Sequence, residues 1–234
     1  MNINNIGRMI DISSVKATSS MTEIDAMVKV AKHFNFVCAF AMPCFTKQLV
    51  EKLYNCKDIN VGGVVGFPSG ADTTSIKIAI TKELIKMGVD ELDMVINVGM
   101  LKSGFYDMVY EDIHSIVETV EGIPVKCIIE APYLTDDEIK RSATLAVRAG
   151  VDYVKTSTGW TSKPTTIENI KLIKSEIGDA ALIKAAGGIR DIDTLEAMAN
   201  AGASRFGIGV SSSVSIMKEA YKRCGRPWDF EVKV

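Results

Sequence analysis

The stretch Gly88-Val89-Asp90-Glu91-Leu92-Asp93-Met94-Val95-Ile96-Asn97 reads as a helix end, a turn and a strand within ten residues. Glycine fits the left-handed position that closes a helix, where a Cβ would clash, and a β-rich apolar run follows at once. The same order recurs at Gly150-Val151-Asp152 and at Gly202-Ala203-Ser204. Working outward from these units, eight apolar runs appear: Met9–Ser13, Val37–Met42, Val61–Phe67, Glu91–Asn97, Val125–Glu130, Tyr153–Thr158, Ala181–Ala186 and Arg205–Val210. Successive runs stand one strand, one helix and two loops apart. Eight β/α units without a long interruption predict an α/β fold of the closed (β/α)8 TIM-barrel type, as a single domain over residues 1–234. An open doubly wound sheet is the alternative.

Between the runs lie amphipathic stretches. Val109, Ile113, Ile116, Val117 and Val120 share one helical face, and Ile76, Ala79, Ile80, Leu84 and Met87 are expected to share another. Thr135 to Glu138 and Thr165 to Glu168 read as capping boxes, and Asp191 as a helix cap. The 234 residues are 47% hydrophobic and 24% charged with a formal net charge of −2, enough for one sizeable core. That balance excludes a strongly basic nucleic-acid surface as the main function. No apolar run reaches the ~18 residues of a membrane span, and the N-terminus lacks a charged-then-apolar leader pattern. A cytoplasmic protein without nucleic-acid or membrane partners is expected. The five cysteines have irregular spacing and no C-x-x-C. They are read as small, mostly buried hydrophobes, with no disulfide framework and no metal site.

Charge inside strands is costly and calls for a reason. Asp93, Lys126, Glu130, Lys155 and Lys184 fall in four consecutive predicted strands, each close to a turn. Alternation puts Asp93 on one face with Val95 and Asn97, and Lys126 with Ile128 and Glu130. A single such lysine reads best as outward-facing; the set reads as a polar cluster inside the barrel. Two close lysines have a chemical use. A neighbouring ammonium and partial burial both disfavour protonation, leaving one amine neutral and nucleophilic. Such an amine attacks a carbonyl and becomes a protonated Schiff base, which acidifies the adjacent carbon. A carboxylate such as Asp93 then moves the proton, and no cofactor is required. Two glycine-containing turns, Ala186-Gly187-Gly188-Ile189-Arg190-Asp191 and Arg205-Phe206-Gly207-Ile208-Gly209-Val210-Ser211-Ser212-Ser213, end the seventh and eighth strands. This is a frequent phosphate position in the fold. Gly62-Gly63 and Gly66–Gly70 read as turn chemistry.

In Val65-Gly66-Phe67-Pro68, Glu91–Asn97 with Leu101-Lys102-Ser103-Gly104, Val125–Glu130, Val154-Lys155-Thr156-Ser157-Thr158-Gly159 and Lys184–Arg190, the chain resembles the deoxyribose-phosphate aldolase family. These are class I aldolases on a (β/α)8 barrel. The resemblance implies Lys155 as the Schiff-base lysine, Lys184 as the lysine that perturbs it, and Asp93 as the proton-relay carboxylate. It implies small-molecule aldehyde and sugar-phosphate substrates: acetaldehyde joined reversibly to glyceraldehyde 3-phosphate. Asp11, Ser13, Lys126, Thr156, Gly187, Gly188, Gly207, Gly209, Ser211 and Ser212 are the expected substrate-binding residues. The departures gather at the acceptor end. Ser13 and Phe40 stand where the family carries threonine and cysteine, Ala131-Pro132 follows Glu130, and Trp160 follows Gly159. Ile208-Gly209-Val210 precedes the serines of the last strand. Three alternatives remain at this point: the same chemistry on another aldehyde acceptor, a lysine-held pyridoxal phosphate, or a sugar-phosphate-binding barrel without turnover. A homodimer is the expected assembly.

Overall fold

The computed structural model describes residues 3–232; residues 1, 2, 233 and 234, the ends of the expected domain, lie outside them. After a 3₁₀ segment at Ile3–Met9 the chain runs through β1 (Ile10–Ser14), α1 (Met21–Phe34), β2 (Cys38–Ala41), α2 (Pro43–Leu53), β3 (Asn60–Val65), α3 (Thr74–Met87) and β4 (Glu91–Val95). There follow α4 (Val98–Lys102), α5 (Tyr106–Thr119), β5 (Val125–Ile128), a 3₁₀ turn at Ala131–Tyr133, α6 (Asp136–Arg148), β6 (Tyr153–Lys155), α7 (Ile167–Ile177), β7 (Leu182–Ala186), α8 (Ile192–Asn200), β8 (Arg205–Gly209) and α9 (Val210–Arg223). The eight strands are parallel and close on themselves in chain order, β8 pairing with β1. This is the expected (β/α)8 barrel and not an open sheet.

The turns that open the even strands are built as the sequence reads. Gly88, Gly150 and Gly202 all have positive φ, at 94°, 91° and 119°. Two residues on, Asp90 and Asp152 each accept from an amide at the start of the preceding strand, Val61 N and Val125 N, both at 2.8 Å. Each carboxylate thereby fixes the register of a β–α–β unit at its N-terminal edge. The apolar core lies between barrel and helices, where outward strand residues such as Leu92, Met94, Val154 and Ile183 meet Ile113, Ile116, Ile139 and Ile173.

Three local expectations are corrected. The buried face of α3 is Lys77, Thr81 and Leu84, whereas Ile76 and Ala79 are exposed. Lys77 Nζ donates to Asp112 Oδ2 on α5 at 2.5 Å and to Val95 O at 2.8 Å, so a paired charge shares the inner face with Leu84, while Ile80 and Met87 flank it half-buried. The α7 capping box is Thr166 with Asn169, one residue later than expected, because Thr165 is drawn into the barrel wall by Thr156 and Ala186 O. The boxes and caps at Thr135–Glu138 and Asp191 form as expected. Of the cysteines only Cys38 and Cys127 are buried, Cys44 is exposed, and all five are free.

Beyond α9 the chain returns to the N-terminal end of the strands. There Trp228 and Phe230 pack on Phe34, with Phe230 stacked on His33 at 4.3 Å.

Candidate active site

Strand alternation sends every second side chain into the barrel, and in this barrel many of them are charged. The register sets Lys155 opposite Lys184 and Asp93 opposite Lys126. Asp93 Oδ2 accepts from both Lys155 Nζ, at 2.7 Å, and Lys184 Nζ, at 2.6 Å. Lys184 Nζ also lies 2.7 Å from Asp11 Oδ2 and 4.1 Å above the Phe40 ring. One layer towards the strand N-termini, Arg205 bonds Asp11 Oδ1 at 2.8 Å and reaches both oxygens of Glu91, while Lys126 pairs with Glu91 and stands 3.4 Å from Asp93 Oδ1.

Burial sets the electrostatics, and the ion pairs modify it. Desolvation pushes the Lys155 ammonium down to about 8; Asp93 opposes the shift and the Lys184 charge assists it. For Asp93, burial works against the carboxylate, yet Lys155, Lys184 and Lys126 together hold it well below the usual range. Glu91 is also penalised by burial, and Lys126 and Arg205 outweigh that, bringing it down to about 2. Lys126 is desolvated too, but Asp93, Asp11 and Glu91 raise it above an ordinary lysine. Among these side chains Lys155 is thus the amine most readily neutral near physiological pH.

A cavity of about 280 Å³ opens above these groups at the C-terminal ends of the strands. Asp93, Lys155 and Lys184 form part of its floor, and Asp11 and Ser13 line it. So do Gly187, Gly188, Gly207, Gly209, Ser211 and Ser212. Gly187 and Gly188 have positive φ, 94° and 85°. Gly209 is the N-cap of α9, which places Ser211 and Ser212 in a first turn whose amides have no partner within the helix. The exposed Arg190 stands beside them in the wall. Together these groups make one side of the cavity suited to an anion.

Lys126 and Thr156, both expected to touch substrate, do not line the cavity. Lys126 is fully buried beneath Asp93. Thr156 is also buried, donating to Ala186 O and accepting from Ala186 N, a clasp between β6 and β7. Glu130, expected within the fifth strand, lies two residues past the end of β5, where it accepts from Ser157 Oγ, Thr158 N and Thr158 Oγ1, and so shapes the loop after Lys155. Three contributors were not among the candidate residues, Glu91, Arg205 and Phe67, whereas Phe40 and Trp160 entered only as departures from the family pattern. Glu91 had a signal, since it lies two residues before Asp93 on the same strand face. Asp11, Cys38 and Glu91 bring ligand-type atoms within 4.8 Å of one another. As a donor set for a metal they fit poorly. Both carboxylates already hold cations, and burial pushes the Cys38 thiol well up.

Comparison with known proteins places this geometry in context. A family profile described as DeoC/LacD family aldolase matches residues 11–219. A deoxyribose-phosphate aldolase of Coprothermobacter proteolyticus is 44% identical over 91% of this chain and 95% of its own. A putative deoxyribose-phosphate aldolase structure from Coccidioides immitis superposes with TM-score 0.90 at 32% identity, over 94% of this chain and 87% of that one. A deoxyribose phosphate aldolase of Aeropyrum pernix, described as a tetramer, gives 0.86 at 26% identity, over 95% and 93%.

Proposed function

The chain belongs to the DeoC/LacD family of aldolases, and on that premise we propose that it interconverts 2-deoxyribose 5-phosphate with acetaldehyde and glyceraldehyde 3-phosphate through a Schiff base on Lys155. The observation that carries this reading is the pairing of Lys155 and Lys184 on one oxygen of Asp93 at the floor of the cavity.

In the cleavage direction the neutral Lys155 amine adds to C1 of the open-chain sugar and water leaves, giving a protonated imine. The C3 hydroxyl then loses its proton while the C2–C3 bond breaks. Its electron pair passes into the imine to form an enamine, and C3 becomes the aldehyde of glyceraldehyde 3-phosphate. Protonation of the enamine at C2 and hydrolysis of the imine release acetaldehyde and return the amine. Asp93 and Lys184, joined at 2.6 Å, hold the exchangeable protons beside the reacting carbons. Asp11 and Ser13 bound the floor next to them, and Gly187, Gly188, Gly207, Gly209, Ser211 and Ser212 receive the phosphate, with the dipole of α9 behind them.

Trapping tests the scheme. Incubation with acetaldehyde and borohydride is expected to leave an ethyl group on Lys155, mapped by peptide mass spectrometry, and Lys155→Ala is expected to carry none. A reduced adduct on another lysine, or none in the unsubstituted protein, would refute the assignment.

The reading also takes residues 1–234 as one domain of a cytoplasmic homodimer. Among the described residues no helix is long and apolar enough to cross a membrane. Apolar side chains stand exposed on the neighbouring helices α3 and α5 and just before the latter, at Ile76, Phe105 and Met108, and these suit contact with a second copy. Sedimentation equilibrium is expected to give twice the chain mass; a monomer would refute the pairing.

A further inference from the structure

Glu130 brings a buried carboxylate to the C-terminal side of the barrel, and the proposed chemistry gives it no task. It is 3% exposed, and among the described residues its carboxylate accepts only from two hydroxyls and one amide. A carboxylate buried without a cation beside it is costly. Its backbone is left-handed as well, at φ 55° and ψ 51°, a region that side chains with a Cβ seldom enter. Of the three described non-glycine residues with positive φ, Asn35 and Glu121 are exposed and Glu130 is buried. Oε1 accepts from Ser157 Oγ at 2.7 Å and from Thr158 N at 3.0 Å, and Oε2 accepts from Thr158 Oγ1 at 2.5 Å. The two hydroxyls pass the constraint on: Gly159 N donates to Ser157 Oγ at 3.0 Å, and Trp160 N to Thr158 Oγ1 at 3.1 Å. The Trp160 indole, part of the cavity wall, bonds Val15 O after β1 at 2.8 Å and meets Phe67 after β3 edge-on, with centroids 5.9 Å apart.

The loop held in this way is the surface on which the anion-facing turn after β7 rests. A Cβ on Gly187 would stand 3.1 Å from Ser157 Oγ, and one on Gly159 would stand 3.7 Å from Gly187 Cα. Further along the same loop Thr165 N donates to Gly187 O at 3.1 Å, and a Cβ on Gly188 would fall 2.5 Å from Pro164 Cβ. Contacts thus run from Glu130 through Ser157 to Gly187, and Ser157 follows Lys155 by two residues. We propose that Glu130 is a positioning residue: it sets the turn at Gly187 and Gly188 at a fixed distance from the Lys155 amine, and so governs the preference for a phosphorylated acceptor. This inference rests on the aldolase reading above. Without the carboxylate, Lys155 stays on its strand between β5 and β7, while the turn loses the support that holds it in place. A misplacement of about 1 Å, caused by a change remote from the chemistry, costs up to about a hundredfold.

The test compares D-glyceraldehyde 3-phosphate with D-glyceraldehyde as acceptors, with acetaldehyde as donor, in the unsubstituted protein, Glu130→Ala, Glu130→Gln and Ser157→Ala. The ratio of kcat/KM for the phosphorylated acceptor to that for the unphosphorylated one is expected to fall roughly tenfold to a hundredfold in Glu130→Ala, mainly through KM of the former. Glu130→Gln is expected to recover much of it, because the amide oxygen still accepts from Ser157 Oγ and Thr158 N. Ser157→Ala keeps the carboxylate but removes the hydroxyl that faces Gly187, and is expected to lower the ratio too. Where Glu130→Ala fails to fold, Ser157→Ala decides alone. Ratios within about twofold of the unsubstituted value would overturn the proposal. So would an equal loss on both acceptors with the ratio unmoved, since that marks a merely structural role. The borohydride adduct in the unsubstituted protein separates the two readings. Its absence removes the Lys155 chemistry and this inference together, whereas its presence with an unmoved ratio removes this inference alone.

Discussion

At Lys155 two influences oppose one another. Burial favours the neutral amine, and the carboxylate of Asp93 at 2.7 Å favours the ammonium. Burial prevails, and the charge of Lys184 on the same carboxylate oxygen adds to it by making a second ammonium there unfavourable. Trapping by acetaldehyde and borohydride is therefore expected to quicken as pH rises through about 8, where the amine loses its proton. In Lys184→Leu the neighbouring charge is gone, Lys155 becomes more basic, and the midpoint moves to higher pH. A midpoint that stays in place would detach Lys184 from the tuning of Lys155. This part of the site was legible in the sequence because charge within strand runs is conspicuous: Asp93, Lys155 and Lys184 were selected on that ground. Lys126 was selected with them and does not reach the cavity, since alternation tells which face a residue takes but not how deep in the barrel it sits.

At the scale of strands and helices, adjacent strands fit one another by shape. A Cβ on Gly62 of β3 would fall 2.1 Å from the Phe40 ring of β2, the ring that lies under Lys184 and against the cavity. Gly62→Ala is expected to lower stability by about 1–3 kcal/mol through overpacking, measured by denaturant unfolding. In the Gly62→Ala, Phe40→Leu double variant the cost is expected to fall below the sum of the two single changes, because the smaller side chain relieves the clash. Strict additivity would show that the two residues do not meet. The β/α alternation was readable from apolar runs and helix-ending glycines, and the structure forms all eight strands. The inner face of α3 was not readable. Lys77 sits there only because Asp112, on a helix 35 residues away, neutralises it, and an apolar-face count assigns every lysine to solvent. Where Phe67 and Trp160 point was not readable for a related reason: a loop side chain's direction depends on what the opposite rim offers it.

Across the whole molecule, the two ends of the barrel have separate tasks. The cavity lies at the C-terminal ends of the strands, while at the other end Phe230 closes an aromatic cluster with His33, Phe34 and Trp228. Phe230→Ala is expected to cost about 3–5 kcal/mol of unfolding free energy while the adduct on Lys155 still forms at its usual rate. A matching loss of adduct in the folded variant would show that the ends are coupled. The connected ion pairs inside the barrel carry a further consequence. They join three carboxylates, Asp11, Glu91 and Asp93, to four basic side chains, Lys126, Lys155, Lys184 and Arg205. Electroneutrality of that interior is reached when Lys155 carries no proton. On the proposed scheme, above about pH 8, where the free amine prevails, forming the iminium leaves one uncompensated positive charge under the mouth, so in that range a donor-loaded enzyme draws a phosphate dianion more strongly than an empty one. The order in which the two aldehydes arrive is then written into the charge count of the barrel.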